Sequence, residues 1–106
     1  MTNSVENAKD QIAKEIKEHS IVLYMKGNKI APQCGFSAQV VQILMNLNAN
    51  FETRDVLQDD ALRQGIKEFT DWPTVPQLYV NGEFIGGCDI ITELYETGEL
   101  ADILAK

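Results

Sequence analysis

Trp72-Pro73-Thr74-Val75-Pro76-Gln77-Leu78-Tyr79-Val80-Asn81-Gly82-Glu83-Phe84-Ile85-Gly86-Gly87 contains a β-hairpin and the turn that leads into it. Asn81-Gly82 is the strongest short turn signal available, because both central positions of such a turn need positive φ. The spacing predicts strands over 77–80 and 83–85, with Gly86-Gly87 closing the hairpin. Pro76 stands where the first strand begins, and a proline there donates nothing to the ladder. The Val75–Pro76 bond has the option of a cis form at modest cost. It would then present the Val75 backbone as a free strand edge able to clamp an extended peptide. The alternative is a plain turn before a strand.

Upstream, Val5, Ala8, Ile12, Ala13 and Ile16 recur at helical spacing and predict an amphipathic helix over 4–18. Ile21-Val22-Leu23-Tyr24-Met25 is a continuous apolar run suited to a buried strand. A loop follows from Gly27 to Gln33. Phe36, Val40, Val41, Leu44 and Leu47 then predict a second helix over 36–48. Residues 51–56 alternate weakly, as a strand. Asp59-Asp60 opens a third helix running to Phe69, where acidic residues suit the positive helix end. Gly65 inside it costs roughly 1 kcal/mol relative to alanine. Downstream, a helix runs from Asp89 or nearby to Tyr95 and ends at Gly98, and Glu99–Ala105 forms a short last helix. Strand–helix–strand implies a right-handed parallel crossover, and the hairpin adds antiparallel strands. The class is α/β: a mixed four-stranded sheet with helices on both faces. No repeat or linker divides the chain, so residues 1–106 read as one domain.

The composition fits such a domain. The 106 residues are 44% hydrophobic and 24% charged, enough for a core and a soluble surface. A formal charge of -7 repels nucleic acid and anionic lipid on average. No apolar run reaches the length of a membrane span. The amino terminus shows no basic region, apolar stretch or cleavage pattern of a secretory leader. Two cysteines do not make a disulfide framework. A reducing cytoplasm is the simplest compartment, although an organelle protein with its transit segment removed would look the same.

Chemistry concentrates at Cys34-Gly35-Phe36-Ser37. A dithiol redox motif would carry its second cysteine at position 37, where serine stands. The strand–loop–helix context places Cys34 at or just before a helix, where free N–H groups and the helix dipole favour a thiolate. Gly35 leaves the backbone beside the sulfur unshielded. The competing reading of Cys34 is a buried, inert cysteine. Gly86-Gly87-Cys88-Asp89 opens a later helix, whose first N–H groups suit a carboxylate. Asp89 either caps that helix or accepts a hydrogen bond from an amine. Cys88 is either a small apolar filler or a second thiol. A Cys34–Cys88 disulfide needs Cα atoms within roughly 7 Å. Lys26 and Arg63 lie near the same end of the sheet, and matter only if the ligand is an anion. His19, the single histidine, suits a helix end or the surface better than a metal site.

Taken together, Leu23-Tyr24-Met25-Lys26-Gly27, Cys34-Gly35-Phe36-Ser37, Trp72-Pro73-Thr74-Val75-Pro76-Gln77 and Gly86-Gly87-Cys88-Asp89-Ile90 resemble the monothiol glutaredoxins of the Cys-Gly-Phe-Ser type, in their single-domain bacterial and organellar form. The resemblance runs over nearly the whole chain and implies a thioredoxin fold. It implies glutathione lying over Cys34, Gly35 and Phe36. Lys26 and Arg63 would meet its glycine carboxylate. Thr74 and the Val75 backbone, before a cis Pro76, would meet its cysteinyl part. The Cys88 backbone and Asp89 would hold its γ-glutamyl end. It further implies a [2Fe–2S] cluster shared by a homodimer, with Cys34 as the metal ligand from each copy and glutathione supplying the rest. Partners would be BolA-type proteins and apo iron–sulfur acceptors. The alternative activity is glutathione-dependent thiol–disulfide exchange through Cys34 alone; a redox-inert adaptor is the third. The chain departs from the family pattern at Lys29, often proline, and at Val75, often phenylalanine.

Overall fold

The computed structural model describes residues 4–105; residues 1–3, read above for a leader, and residue 106 lie outside them. The elements are α1 (Ser4–Glu18), β1 (Ile21–Met25), α2 (Gly35–Asn46), β2 (Glu52–Asp55), α3 (Asp60–Thr70), β3 (Gln77–Val80), β4 (Glu83–Gly86), α4 (Cys88–Thr97) and α5 (Glu99–Leu104). The sheet order is β2-β1-β3-β4. β1 and β2 are parallel, and β3 is antiparallel to both β1 and β4. Asn81 and Gly82 turn the hairpin with φ of 52° and 83°, as the dipeptide predicts. Among the described residues no helix is long and apolar enough to cross a membrane.

All five β1 residues are buried, because the strand is central and covered on both faces. Alternation sorts its side chains between two cores. Ile21, Leu23 and Met25 pack with α2, α4 and α5 through Val40, Leu44, Ile91 and Leu100. Val22 and Tyr24 pack with α1 and α3 through Ile12, Ile16 and Ile66. A fully buried side chain of this size contributes roughly 1.5–3 kcal/mol. The face toward α1 and α3 is partly aromatic: Tyr79 meets Tyr24 edge-on at 5.7 Å and lies 5.5 Å from Phe84.

Helix ends explain the small departures from the predicted ranges. α2 stops at Asn46, two residues short of the expected end. Asn48 takes a left-handed φ of 56°, and the Asn48 and Ala49 N–H groups close back on Met45 and Leu44 carbonyls. Leu47 still packs on the core from the cap, so the apolar spacing runs past the helix. Asp59 precedes α3 rather than opening it, and its carboxylate accepts from the Ala61 and Leu62 N–H groups. Gly65 has a packing reason. A Cβ there would lie 3.0 Å from Ala8 Cβ, so the missing side chain lets α1 and α3 approach closely.

One polar network crosses the α1 side of the sheet. Glu15 accepts from Tyr24 Oη at 3.0 Å, Arg54 Nε at 3.0 Å and Gln11 Nε2 at 3.2 Å. Partial burial pushes the Glu15 carboxyl up, but the bonds from Arg54, Gln11 and Tyr24 outweigh it and hold the pKa below the ordinary 4.5. A carboxyl depressed by folding stabilises above its unfolded pKa, and that contribution disappears as pH falls through the folded value. Urea midpoints followed from about pH 7 to pH 3 are therefore expected to fall less steeply in Glu15→Gln than in the wild type. Equal slopes would remove Glu15 from the acid response.

Candidate functional site

The site forms where β1 ends. Lys26 N–H donates to Ser37 Oγ at 3.2 Å, and Gly27 N–H to Asp55 Oδ1 at 2.9 Å. The chain then loops out and returns, with Gln33 N–H on the Lys26 carbonyl at 2.9 Å. Lys29 ties the loop down: Nζ donates to the Phe51 carbonyl at 2.8 Å and sits 5.0 Å from that ring's centre. Cys34 follows as the N-cap of α2, with extended backbone at φ -151° and ψ 137°.

The Cys34 thiol is part-exposed and free. It closes no hydrogen bond across the cap, yet its pKa is lowered. The Ser37 N–H contributes most; desolvation comes next and pushes the other way, and the Phe36 N–H, the Lys26 charge and the Ser37 hydroxyl then tip the balance downward. Cys88, the first residue of α4, is also free, and burial pushes its thiol up. The charges of Asp89 and Cys34 act in the same upward direction on it, so the two sulfurs share one electrostatic neighbourhood. The two thiols are thus tuned oppositely. Near pH 7, iodoacetamide is expected to alkylate Cys34 roughly tenfold faster than Cys88. The pH midpoint of alkylation should lie below an ordinary cysteine's for Cys34 and above it for Cys88. Peptide mapping of a partially labelled sample checks this, and equal labelling would refute it.

A cleft of about 470 Å³ opens beside Cys34. Phe36 from the start of α2, Thr74, Val75 and Pro76 from the segment before β3, and Cys88 and Asp89 from the start of α4 line it. The Val75–Pro76 bond is cis. Lys26 and Arg63 line it too. Gly35 is the one expected site residue outside the lining; it is exposed, with open space where a Cβ would stand. Asp89 does not cap α4. Gly87 is the N-cap, without a side-chain cap bond, and the exposed Asp89 carboxylate sits in the first turn facing the cleft.

A profile of the glutaredoxin family matches residues 21–85. The chloroplastic monothiol glutaredoxin-S7 of Oryza sativa subsp. japonica is 58% identical over 93 residues, which are 88% of this chain and 55% of that protein. The chain thus aligns with about half of the rice protein's length. A monothiol glutaredoxin of Synechocystis, ycf64-like and uncharacterized, is 55% identical over 91% of this chain and 90% of its own. The chain belongs to the monothiol glutaredoxins. The solution structure of reduced apo GrxS14 from poplar, 51% identical, superposes with a TM-score of 0.83 over 94% of this glutaredoxin and 93% of that chain. A buckwheat glutaredoxin solved as a glutathione complex, 24% identical, shares the fold at a TM-score of 0.87 over 99% and 94%. The thioredoxin-like fold expected from the motifs is the one this glutaredoxin has.

Several cleft residues of this glutaredoxin escape a sequence reading. Lys67 lines the cleft one helical turn after Arg63, a spacing that could have flagged it. Among the described residues none of Lys26, Arg63 and Lys67 is paired with an acidic side chain. Trp72 and Ile90 add apolar lining. Ser37, read only as a missing sulfur, is fully buried, accepts from the Lys26 backbone and helps stabilise the Cys34 thiolate.

Proposed function

We propose that this glutaredoxin binds glutathione along the cleft, and that two copies hold a [2Fe–2S] cluster between them and pass it to apo iron–sulfur proteins. The observation that carries the reading is a thiol with lowered pKa at the edge of a cleft holding unpaired cations and Asp89. Glutathione is a short peptide with a carboxylate at its glycine end and an ammonium and carboxylate at its γ-glutamyl end. Lys26 and Arg63 fit the first. Thr74 and the Val75 backbone suit its extended middle. Asp89 suits the ammonium, and the first N–H groups of α4 suit the second carboxylate.

Ligand number supports the cluster. A [2Fe–2S] centre takes four thiolates. Among the described residues no group of three or more His, Cys, Asp or Glu side chains is placed to hold a metal ion. Two Cys34 thiolates and two glutathione thiolates complete the set without one. A BolA-type protein would replace one copy in a mixed complex, and the cargo would move within a reducing cytoplasm. Anaerobic reconstitution with iron and sulfide tests this. Glutathione-dependent visible absorption, one cluster per two chains and a shift to dimer on a sizing column are expected. Colourless protein with glutathione present, or equal colour without it, would sink the reading.

The lowered Cys34 pKa also favours a second reading, removal of glutathione from protein thiols. The Cys34 thiolate attacks the glutathione sulfur of a mixed disulfide and the protein thiolate leaves. A second glutathione thiolate then attacks the Cys34 mixed disulfide, giving oxidised glutathione and free Cys34. Rapid turnover of a glutathionylated peptide by metal-free protein, with no cluster formed on reconstitution, would select this reading.

A further inference from the structure

Gln77 is fully buried, does not line the cleft, and has a carboxamide whose every polar face is engaged. Its Nε2 donates to the Trp72 carbonyl at 3.3 Å and the Thr74 carbonyl at 3.1 Å. Its Oε1 accepts from Thr70 Oγ1 and Tyr79 Oη, each at 3.0 Å. The orientation is fixed by chemistry: carbonyls only accept, so the NH₂ must face the chain before the strand. Gln77 opens β3, paired opposite Tyr24 in the middle of the sheet. The segment it grips, 72–74, is outside regular structure and leads directly into the Thr74–Val75–Pro76 wall.

We propose that Gln77 is a positioning residue: its carboxamide splints the irregular 72–76 segment to the rigid sheet and so holds the cleft wall in the shape that receives an extended peptide ligand. Hairpin and helix ladders give the rest of the sheet its rigidity. The wall follows a helix end and precedes the first ladder bond. Trp72 is tied back to the Lys67 carbonyl and packs on Phe84, and Val75 packs on the core; two backbone carbonyls bonded to one buried amide add the hydrogen bonds that join the segment to β3. The other side of that amide, toward Thr70 and Tyr79, faces the core and makes no hydrogen bond to the wall, although Val75 packs on the same core through its side chain. This division separates the role of Gln77 from that of its neighbours. The affinity part of the proposal rests on the glutathione reading above; the ordering part does not.

The test compares Gln77→Met with Tyr79→Phe. The first removes the donors to Trp72 and Thr74 at similar volume, and the second removes a core-side partner. Backbone ¹⁵N order parameters at Thr74 and Val75 are expected to fall from about 0.85 toward about 0.6 in Gln77→Met, with Leu78 and Val80 unchanged. Glutathione affinity by titration calorimetry should fall about tenfold. Tyr79→Phe should lower the urea midpoint while leaving both readouts at wild-type values. If Gln77→Met does not fold, Gln77→Asn, too short to reach both carbonyls, takes its place. The proposal is overturned if the wall stays as ordered as in the wild type, if affinity holds while the wall loosens, or if Tyr79→Phe reproduces both effects. Wild-type protein that binds no glutathione would fault the ligand reading, and the order parameters would still decide for or against Gln77.

Discussion

Cys34→Ser is expected to abolish the glutathione-dependent chromophore completely, while Cys88→Ser retains it. Each copy contributes one cysteine to the proposed cluster, so the substitution removes two of four thiolates together. A serine hydroxyl ionises far above neutral pH and is a poor replacement for a thiolate toward iron. The cap that lowers the Cys34 pKa acts through the Ser37 and Phe36 N–H groups, and these cannot bring an alcohol into the useful range. Cys88 stands in the opposite environment, where burial holds its thiol protonated. Its proposed contribution is through the backbone, which serine supplies equally well. Absorption spectra after anaerobic reconstitution check both variants. A coloured Cys34→Ser, or a colourless Cys88→Ser that is still folded, would move the metal ligand away from Cys34.

Gly27→Ala has the largest expected effect on the fold near the site. Gly27 has a φ of 84°, and a Cβ there would lie 2.5 Å from the Ala31 carbonyl oxygen and 2.7 Å from the Gln33 nitrogen. Both are backbone atoms, so no side-chain rotation relieves the clash. The left-handed conformation alone costs a non-glycine residue about 1–2 kcal/mol. With displacement of the loop, the loss of stability should reach about 2–4 kcal/mol, read from urea midpoints. Gln33 adjoins Cys34, so the displacement also reaches the cap, and Cys34 alkylation should slow toward the rate of an ordinary thiol. A loss under about 1 kcal/mol with unchanged alkylation would show that the loop is not so tightly seated.

Much of this architecture could be read from residue pattern alone. The apolar run 21–25 marked the central strand because a strand covered on both faces needs no polar alternation. Asn81-Gly82 marked the hairpin because few residue pairs tolerate two positive φ values in succession. Cys34 was legible from its place between a strand and an apolar helix. Less legible were features that exist only once elements meet. Gly65 looked like a weak point in α3 until α1 lay against it. Ser37 looked like an absence until it was found buried under the Lys26 backbone. Asp89 had two possible uses, and the start of α4 at Cys88, one residue earlier than its neighbour suggested, left it free of the cap. Gln77 belonged to a motif, but nothing in its spacing told which carbonyls its amide would hold.

The two outermost strands of the sheet bear on how copies of this protein avoid one another. β2 and β4 each run for only four residues. β2 carries Glu52, Arg54 and Asp55, and β4 opens on an exposed Glu83. Short, charged rims discourage the strand-to-strand stacking by which open sheets polymerise. Of the exposed large apolar side chains among the described residues, the two most exposed flank Cys34: Ile30, 91% exposed, on the loop before it, and Phe36, 62% exposed, just after it, ahead of Met45, Leu57 and Ile90. Self-association along the sheet is thereby disfavoured, and the most adhesive points of the surface stand on either side of Cys34.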